Sequence, residues 1–260
     1  MSAERIHPTA IVDPKARLAD DVRVGAFSVI GPDVEIGAGT EIASHVTVEG
    51  PTVIGRDNRI FQFNAIGAAP QDKKYADEPT RLVIGDRNTI REFCTFNRGT
   101  TQDRGETTIG SDNWIMAYVH IAHDCVIGDN TILANGTTLA GHVSVGDFAI
   151  LGGFTKVHQF CRIGAHSFSG MDSGLNQDLP PYVTCSGMPA RPVGINSEGL
   201  KRRNFSSEQI RNVKRAYKIL YRSGLRLDEA RAQLEELARD NAEVKPFVEF
   251  VSKSERGIIR

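Results

Sequence analysis

No charge of one sign dominates this chain of 260 residues, since 31 Lys and Arg stand against 32 Asp and Glu for a formal net charge of −1. A global field that would draw it to nucleic acid or to an anionic membrane is therefore absent. No stretch reaches the roughly 20 apolar residues that a membrane-spanning helix needs. The opening decapeptide, MSAERIHPTA, lacks the apolar segment of a secretory signal. The four cysteines (Cys94, Cys125, Cys161 and Cys185) form no CxxC pair, so they read as buried thiols in a reducing compartment. The cytoplasm is the expected location. What remains is an ordinary globular composition, 40% hydrophobic and 24% charged, long enough for a full core with a small appendix.

What the chain does have is a clock. Stepping by six from Ile6 gives Val12, Leu18, Val24, Ile30, Ile36, Ile42, Val48, Ile54, Ile60 and Ile66. The run lapses through AAPQDKKYADEPTR, resumes at Ile84 and Ile90, and lapses again through NRGTTQDRGETT, which shifts the phase by one. From Ile109 it restarts as Ile115, Ile121, Ile127, Leu133, Leu139, Val145, Leu151, Val157 and Ile163. A helix would smear such a period around its circumference. Short strands separated by corners, each sending one aliphatic side chain inward, fit it. Three strands make a triangular coil of eighteen residues, and stacked coils pair through parallel ladders about 4.8 Å apart. Glycine often follows the aliphatic position (Gly25, Gly31, Gly37 and Gly55 among others), where a chain turning a corner benefits from lacking a Cβ.

The pattern aliphatic-Gly-x-x-x-x resembles the hexapeptide-repeat acyltransferases. That resemblance, and not the repeat itself, implies a left-handed parallel β-helix, because parallel crossovers are generally right-handed. The expected organisation is a mostly β protein, with the β-helix over residues 1–190 and loops leaving it at 69–80 and 97–107. A small α-helical domain over 191–260 follows. There SSEQIRNVKRAYKILYRSG opens with Ser206 and Gln209 at capping-box spacing, and LDEARAQLEELARD and EVKPFVEFVSKS read as two further amphipathic helices.

Eighteen residues per coil converts sequence distance into position. His123 falls beneath residue 141, so Gly141 and His142 belong one coil along at the same corner, and His158 and Gln159 one coil further. The rings of His123 and His142 are expected roughly 5–8 Å apart. His120 flanks the same corner. Four of the seven histidines thus converge on one ridge, while His7, His45 and His166 do not. Three readings are open: polar corner residues, a zinc site with Asp124 as an orienting partner, and a general base held by that carboxylate.

The segments QDKKYADEPTR (71–81), HIAHDC, LAGHVSV, VHQFC, PPYV and EGLKRR occur in the order found in the UDP-N-acetylglucosamine O-acyltransferases, which open lipid A synthesis, and the likeness runs over essentially the whole chain. The resemblance implies transfer of a 3-hydroxyacyl group from acyl carrier protein to the glucosamine 3-hydroxyl of UDP-N-acetylglucosamine. It makes His123 the general base, Asp124 its support and the backbone N–H of Gly141 the oxyanion donor. It places Asp72, Lys74, His120, His142, His158 and Gln159 around the acceptor, and Asn196, Glu198 and Arg202, with Arg203 as helper, around the nucleotide. It implies a homotrimer with a cleft at each subunit boundary. It implies neither metal nor cofactor beyond the phosphopantetheine that carries the acyl group.

Met171, in FSGMDSG, stands where some relatives carry glycine. It is 48 residues beyond His123, roughly 13 Å along the axis, which would stop an acyl chain near ten to twelve carbons at about 1.2 Å per bond. Lys201, Arg202, Arg203, Arg211, Lys214, Arg215, Lys218, Arg222 and Arg226 face a single acid, Glu208, a charge pattern suited to an acidic carrier protein. No aromatic platform accompanies it, so nucleic acid is not expected. The rival readings are a zinc hydratase like the γ-class carbonic anhydrases, and a β-helical assembly subunit that docks through residues 69–80 and 97–107.

Overall fold

The computed structural model describes residues 5–260. Strands of two to four residues run from Ile11 to Ser186, and consecutive strands belong to different sheets, so that every third strand pairs until the last, Val183–Ser186, which pairs with Phe168–Ser169. Three sheets result, of nine, eight and ten strands, parallel throughout except for the last strand of the third, and they form the sides of a left-handed parallel β-helix. Most strands end on the clock residue. Ile30, Ile54, Ile66, Ile90, Ile115, Ile121, Leu133 and Leu151 are all 0–1% exposed and fill the prism, each contributing about 1.5–3 kcal/mol of burial. Neighbouring coils are offset by 18 residues, as in Ile121 over Leu139 and Leu139 over Val157.

The glycines after the clock residue act differently from the expectation. The backbone turns the corner three residues past the aliphatic, where Phe27, Asp33, His45, Asp124 and His142 hold φ between 57° and 63°. Gly37 has no such φ. A Cβ there would stand 2.8 Å from the carbonyl carbon of Gly55 in the next coil, so glycine is required by close stacking of coils rather than by the turn.

Both lapses are insertions at one and the same edge. Residues 69–80 lie between strands Ala65–Ala68 and Arg81–Ile84, and residues 98–105 between Thr95–Asn97 and Glu106–Ile109. Ile54 therefore pairs with Ile84, and Ile84 with Ile109, separations of 30 and 25 residues. The corner directly above these loops is residues 122–125.

A second edge carries Phe27, His45, Phe63, Phe93 and Tyr118 in a continuous stack with centroids 4.9–5.2 Å apart. A third carries Phe148, His166 and Tyr182. His45 and His166 thus stand apart from the histidine ridge, as their register requires.

The parallel ladder ends at Val183–Ser186, and Arg191–Ile195 folds back on it antiparallel, so the expected boundary at 190 falls in that turn. A short helix unforeseen in the sequence, α1 (Ser197–Arg202), comes next. The three expected helices then follow as α2 (Ser207–Arg222), α3 (Leu227–Asp240) and α4 (Lys245–Ser252). Ser206 and Gln209 form the capping box. The chain end docks on the last coil through buried Asp178, whose carboxylate accepts from Arg162 N–H and Ser254 Oγ.

Candidate active site

The edge that carries the two insertions also gathers the histidines. His123, on the corner after strand His120–Ile121, donates through Nδ1 to Oδ2 of Asp124 at 2.9 Å. Adjacent residues rarely share such a bond. It is possible here because Asp124 adopts φ 58°, which swings its carboxyl back toward the preceding ring. The bond fixes the proton of neutral His123 on Nδ1 and leaves the Nε2 lone pair free. His123 is 14% exposed and the Asp124 side chain is fully buried.

That carboxylate is held by more than the histidine. Thr100 gives it both its backbone N–H, at 2.9 and 3.1 Å from the two oxygens, and its hydroxyl, at 2.7 Å. Burial alone would raise its pKa, but the bonds from His123 and Thr100 and the nearby His142 outweigh that and hold it below the usual carboxylate value. Asp124 is therefore a fixed negative charge behind the His123 ring. The backbone N–H of Asp124 is itself anchored on Thr107 Oγ1 at 2.8 Å.

One coil along, the His142 ring meets His123 edge-on with centroids 5.0 Å apart, at the near end of the expected range. It stacks on Phe160 at 4.3 Å, and its Nδ1 pairs with Asp103 Oδ2 at 2.7 Å. Gly141 lies directly over the His123 ring, where a Cβ would approach Cε1 to 2.5 Å and Nε2 to 2.7 Å. Gly141 is buried, yet among the described residues no acceptor takes its N–H. The N–H two residues past the aliphatic is likewise unpaired at other corners, as at Ser44, Ala117 and Gly153, and here it lies beside the His123 ring. His120 bonds Thr95 Oγ1 at 2.7 Å. Burial lowers its pKa, the Thr95 contact opposes that, and the neighbouring His123 lowers it further, so the ring is neutral near pH 7. His158 and Gln159 are exposed on the next coil, with His158 Nδ1 3.1 Å from the carbonyl of Gln159.

Asp72 and Lys74 occupy the first insertion, where the Asp72 carboxylate accepts the Lys74 N–H at 2.9 Å. This loop is tied to the second one through Arg98, which donates to Tyr75 OH at 3.3 Å and to the carbonyl of Gly67 at 2.6 Å. Both insertions thus stand on the histidine ridge. Beside His142 opens a cleft of about 540 Å³ whose walls include Asp103, Arg104, Phe160, Arg162 and the C-terminal Lys253 and Arg256.

The remaining expected residues lie elsewhere in the protomer. Asn196 caps α1 by accepting from Gly199 N–H at 3.1 Å and donates to the carbonyl of His166 at 3.0 Å. Arg203 covers Phe148 at 4.5 Å. Glu198 pairs with Lys201 in solvent, and Arg202 is exposed. All four belong to the edge of Phe148 and His166, and one chain does not bring them to His123. Met171 is 74% exposed above Gly153, on the edge of Tyr118 and Phe154, again away from His123.

Thr100, Asp103, Thr107 and Phe160 were not foreseen. Phe160 was within reach of the sequence, being eighteen residues past His142. Thr107 was within reach too, on strand Glu106–Ile109 one coil below Asp124, whereas Thr100 and Asp103 lie in the second insertion, whose irregular length breaks the register that would have located them.

A zinc ion fits this cluster poorly. Ligand atoms of His123, Asp124 and His142 lie within 4.8 Å of one another. However, both Nδ1 atoms donate to carboxylates and Asp124 Oδ2 already accepts from His123 and Thr100, which leaves the two Nε2 atoms as the open donors, one short of the three protein ligands of a catalytic zinc site. Metal ligands must offer lone pairs to one point.

A profile of bacterial transferase hexapeptide repeats matches residues 15–50 and 106–141, and the second domain of UDP-N-acetylglucosamine O-acyltransferases matches residues 178–259. The chain is similar to an acyl-[acyl-carrier-protein]–UDP-N-acetylglucosamine O-acyltransferase of Herminiimonas arsenicoxydans, with 64% identity covering 98% of this chain and 99% of that one. It superposes on the UDP-N-acetylglucosamine acyltransferase of Francisella novicida with a TM-score of 0.97 at 45% identity, covering 98% and 94% of the two chains. For the Acinetobacter baumannii structure the TM-score is 0.97 at 46% identity, over 99% and 100%. With such identity over nearly its full length, the chain belongs to the acyl-[acyl-carrier-protein]–UDP-N-acetylglucosamine O-acyltransferase family.

Proposed function

We propose that the protein transfers a 3-hydroxyacyl chain from acyl carrier protein to the 3-hydroxyl of UDP-N-acetylglucosamine, with His123 as general base. The observation that carries this is the free Nε2 of His123, on an Asp124-bound ring packed directly against Gly141, whose N–H has no partner among the described residues. Nε2 takes the hydroxyl proton as the sugar oxygen attacks the thioester carbon. The oxyanion accepts from Gly141 N–H, a donor typically worth about 3 kcal/mol. Collapse breaks the C–S bond, and the imidazolium returns its proton to the departing pantetheine thiolate. All four cysteines are buried, and the thiols are pushed up to about 11 or 12, so a direct transfer needs no acyl-cysteine.

The active unit in this reading is a homotrimer located in the cytoplasm. Asn196, Glu198, Arg202 and Met171 stand on edges away from His123, so they serve a site only where protomers meet. Asp72, Lys74, His120, His142, His158 and Gln159 then hold the sugar side of the acceptor, and the edge of Arg203 faces its nucleotide. The exposed face of α2, with Arg211, Lys214, Arg215 and Lys218, steers the acidic carrier protein. No helix among the described residues is long and apolar enough to cross a membrane.

The test is turnover of UDP-N-acetylglucosamine with a panel of 3-hydroxyacyl carrier proteins, read as acylated sugar nucleotide. Failure with every donor would contradict the reading. In the same assay Met171→Gly is expected to shift preference toward longer chains, because it removes the side chain that ends the groove. An unchanged preference would remove Met171 from that role.

A further inference from the structure

We propose that Asp103 is a positioning residue that pins the proton of neutral His142 on Nδ1 and so reserves the Asp124 carboxylate for His123. This deepens the acyl-transfer reading and rests on it. Asp124 Oδ2 is the acceptor for His123 Nδ1 at 2.9 Å, and His142 Nε2 lies 3.9 Å from the same oxygen. Two imidazoles therefore border one carboxylate oxygen, and a neutral ring has a single proton to place. If His142 carried it on Nε2, a small rotation would let it donate to Oδ2 and compete with the base for its support. Asp103 Oδ2, 2.7 Å from His142 Nδ1, draws the proton to the far side of the ring, because the partner of one imidazole nitrogen decides which nitrogen is protonated. His142 Nε2 is then an acceptor facing an acceptor, and no bond forms between them.

The second insertion does both jobs. Thr100 fills the Asp124 oxygens from one side and Asp103, three residues on, turns His142 from the other. Phe160 stacked on His142 at 4.3 Å keeps the ring in its plane without choosing its tautomer, so that choice falls to Asp103. The Asp103 side chain is 42% exposed and supports no core, which makes it open to substitution without unfolding the loop.

The experiment reads the tautomer directly. Ring nitrogen shifts of His142 are recorded by NMR near pH 8 in the full-length wild type, Asp103→Ala and Asp103→Asn, alongside kcat and KM for acyl transfer. The wild type and Asp103→Asn, whose amide oxygen still accepts, are expected to show the Nδ1–H form. Asp103→Ala is expected to move to Nε2–H and to lose about tenfold in kcat, with KM for UDP-N-acetylglucosamine little changed. An Nδ1–H ring in Asp103→Ala would overturn the proposal, as would an Nε2–H ring with wild-type kcat. The tautomer needs no substrate, so a wild type that fails to transfer acyl groups would count against the functional reading while the ring shifts still judge Asp103.

Discussion

His123→Ala is expected to lower kcat for acyl transfer by about a thousandfold while leaving the thermal midpoint close to wild type. General-base catalysis contributes typically 10²–10⁴-fold, and a sugar hydroxyl is a poor nucleophile until its proton has a destination. The nearest alternative ring, His142, points Nδ1 at Asp103 and lies edge-on to the gap the deletion would leave, so it cannot take over without turning. The fold does not depend on the imidazole, which is a corner residue outside the aliphatic core. Deleting it does leave the buried Asp124 with only its Thr100 partners, so a modest loss of stability accompanies the loss of rate. A mutant that retained turnover would remove His123 from the role of base.

Gly141→Ala is the second large effect, about a hundredfold in kcat. The added methyl would stand 2.5 Å from His123 Cε1 and 2.7 Å from Nε2, inside any permitted contact. The neighbour that must yield is the base itself, and a misplacement of about 1 Å in a reacting group can cost that much. Gly141 holds no left-handed φ, so alanine imposes no backbone strain and the N–H keeps its direction. The loss is then one of geometry. Gly153→Ala is the control, since its Cβ would meet Asn135 O at 3.5 Å and Met171 Cγ at 4.0 Å, both ordinary distances. Near-normal kinetics for Gly141→Ala would mean that the ring works from another position.

Much of this could be read in the sequence because a solenoid makes position arithmetic. The aliphatic clock located the core, and eighteen-residue stacking put His142 and Gly141 over His123 and left His45 and His166 on other edges. The arithmetic stops where the chain leaves the coils. Thr100 and Asp103 sit in the insertion that stretches one coil to 25 residues, and nothing periodic says which way their side chains turn. The direct His123–Asp124 bond was undecided as well, because the left-handed φ that Asp124 shares with other corners does not say which way its carboxyl turns. Asn196 shows a different limit. A motif assigned it to a nucleotide, and in the protomer each end of its side chain also makes a local bond, to α1 and to His166. A short-range cap is a local choice that similarity of sequence does not reveal.

The most direct test is a crystal structure of the protein with UDP-N-acetylglucosamine bound. The account predicts the C3 oxygen of the sugar within hydrogen-bond reach of His123 Nε2, about 2.6–3.2 Å, with Nδ1 still on Asp124. A sugar whose C3 oxygen rests on another group, with Nε2 facing solvent, would contradict it.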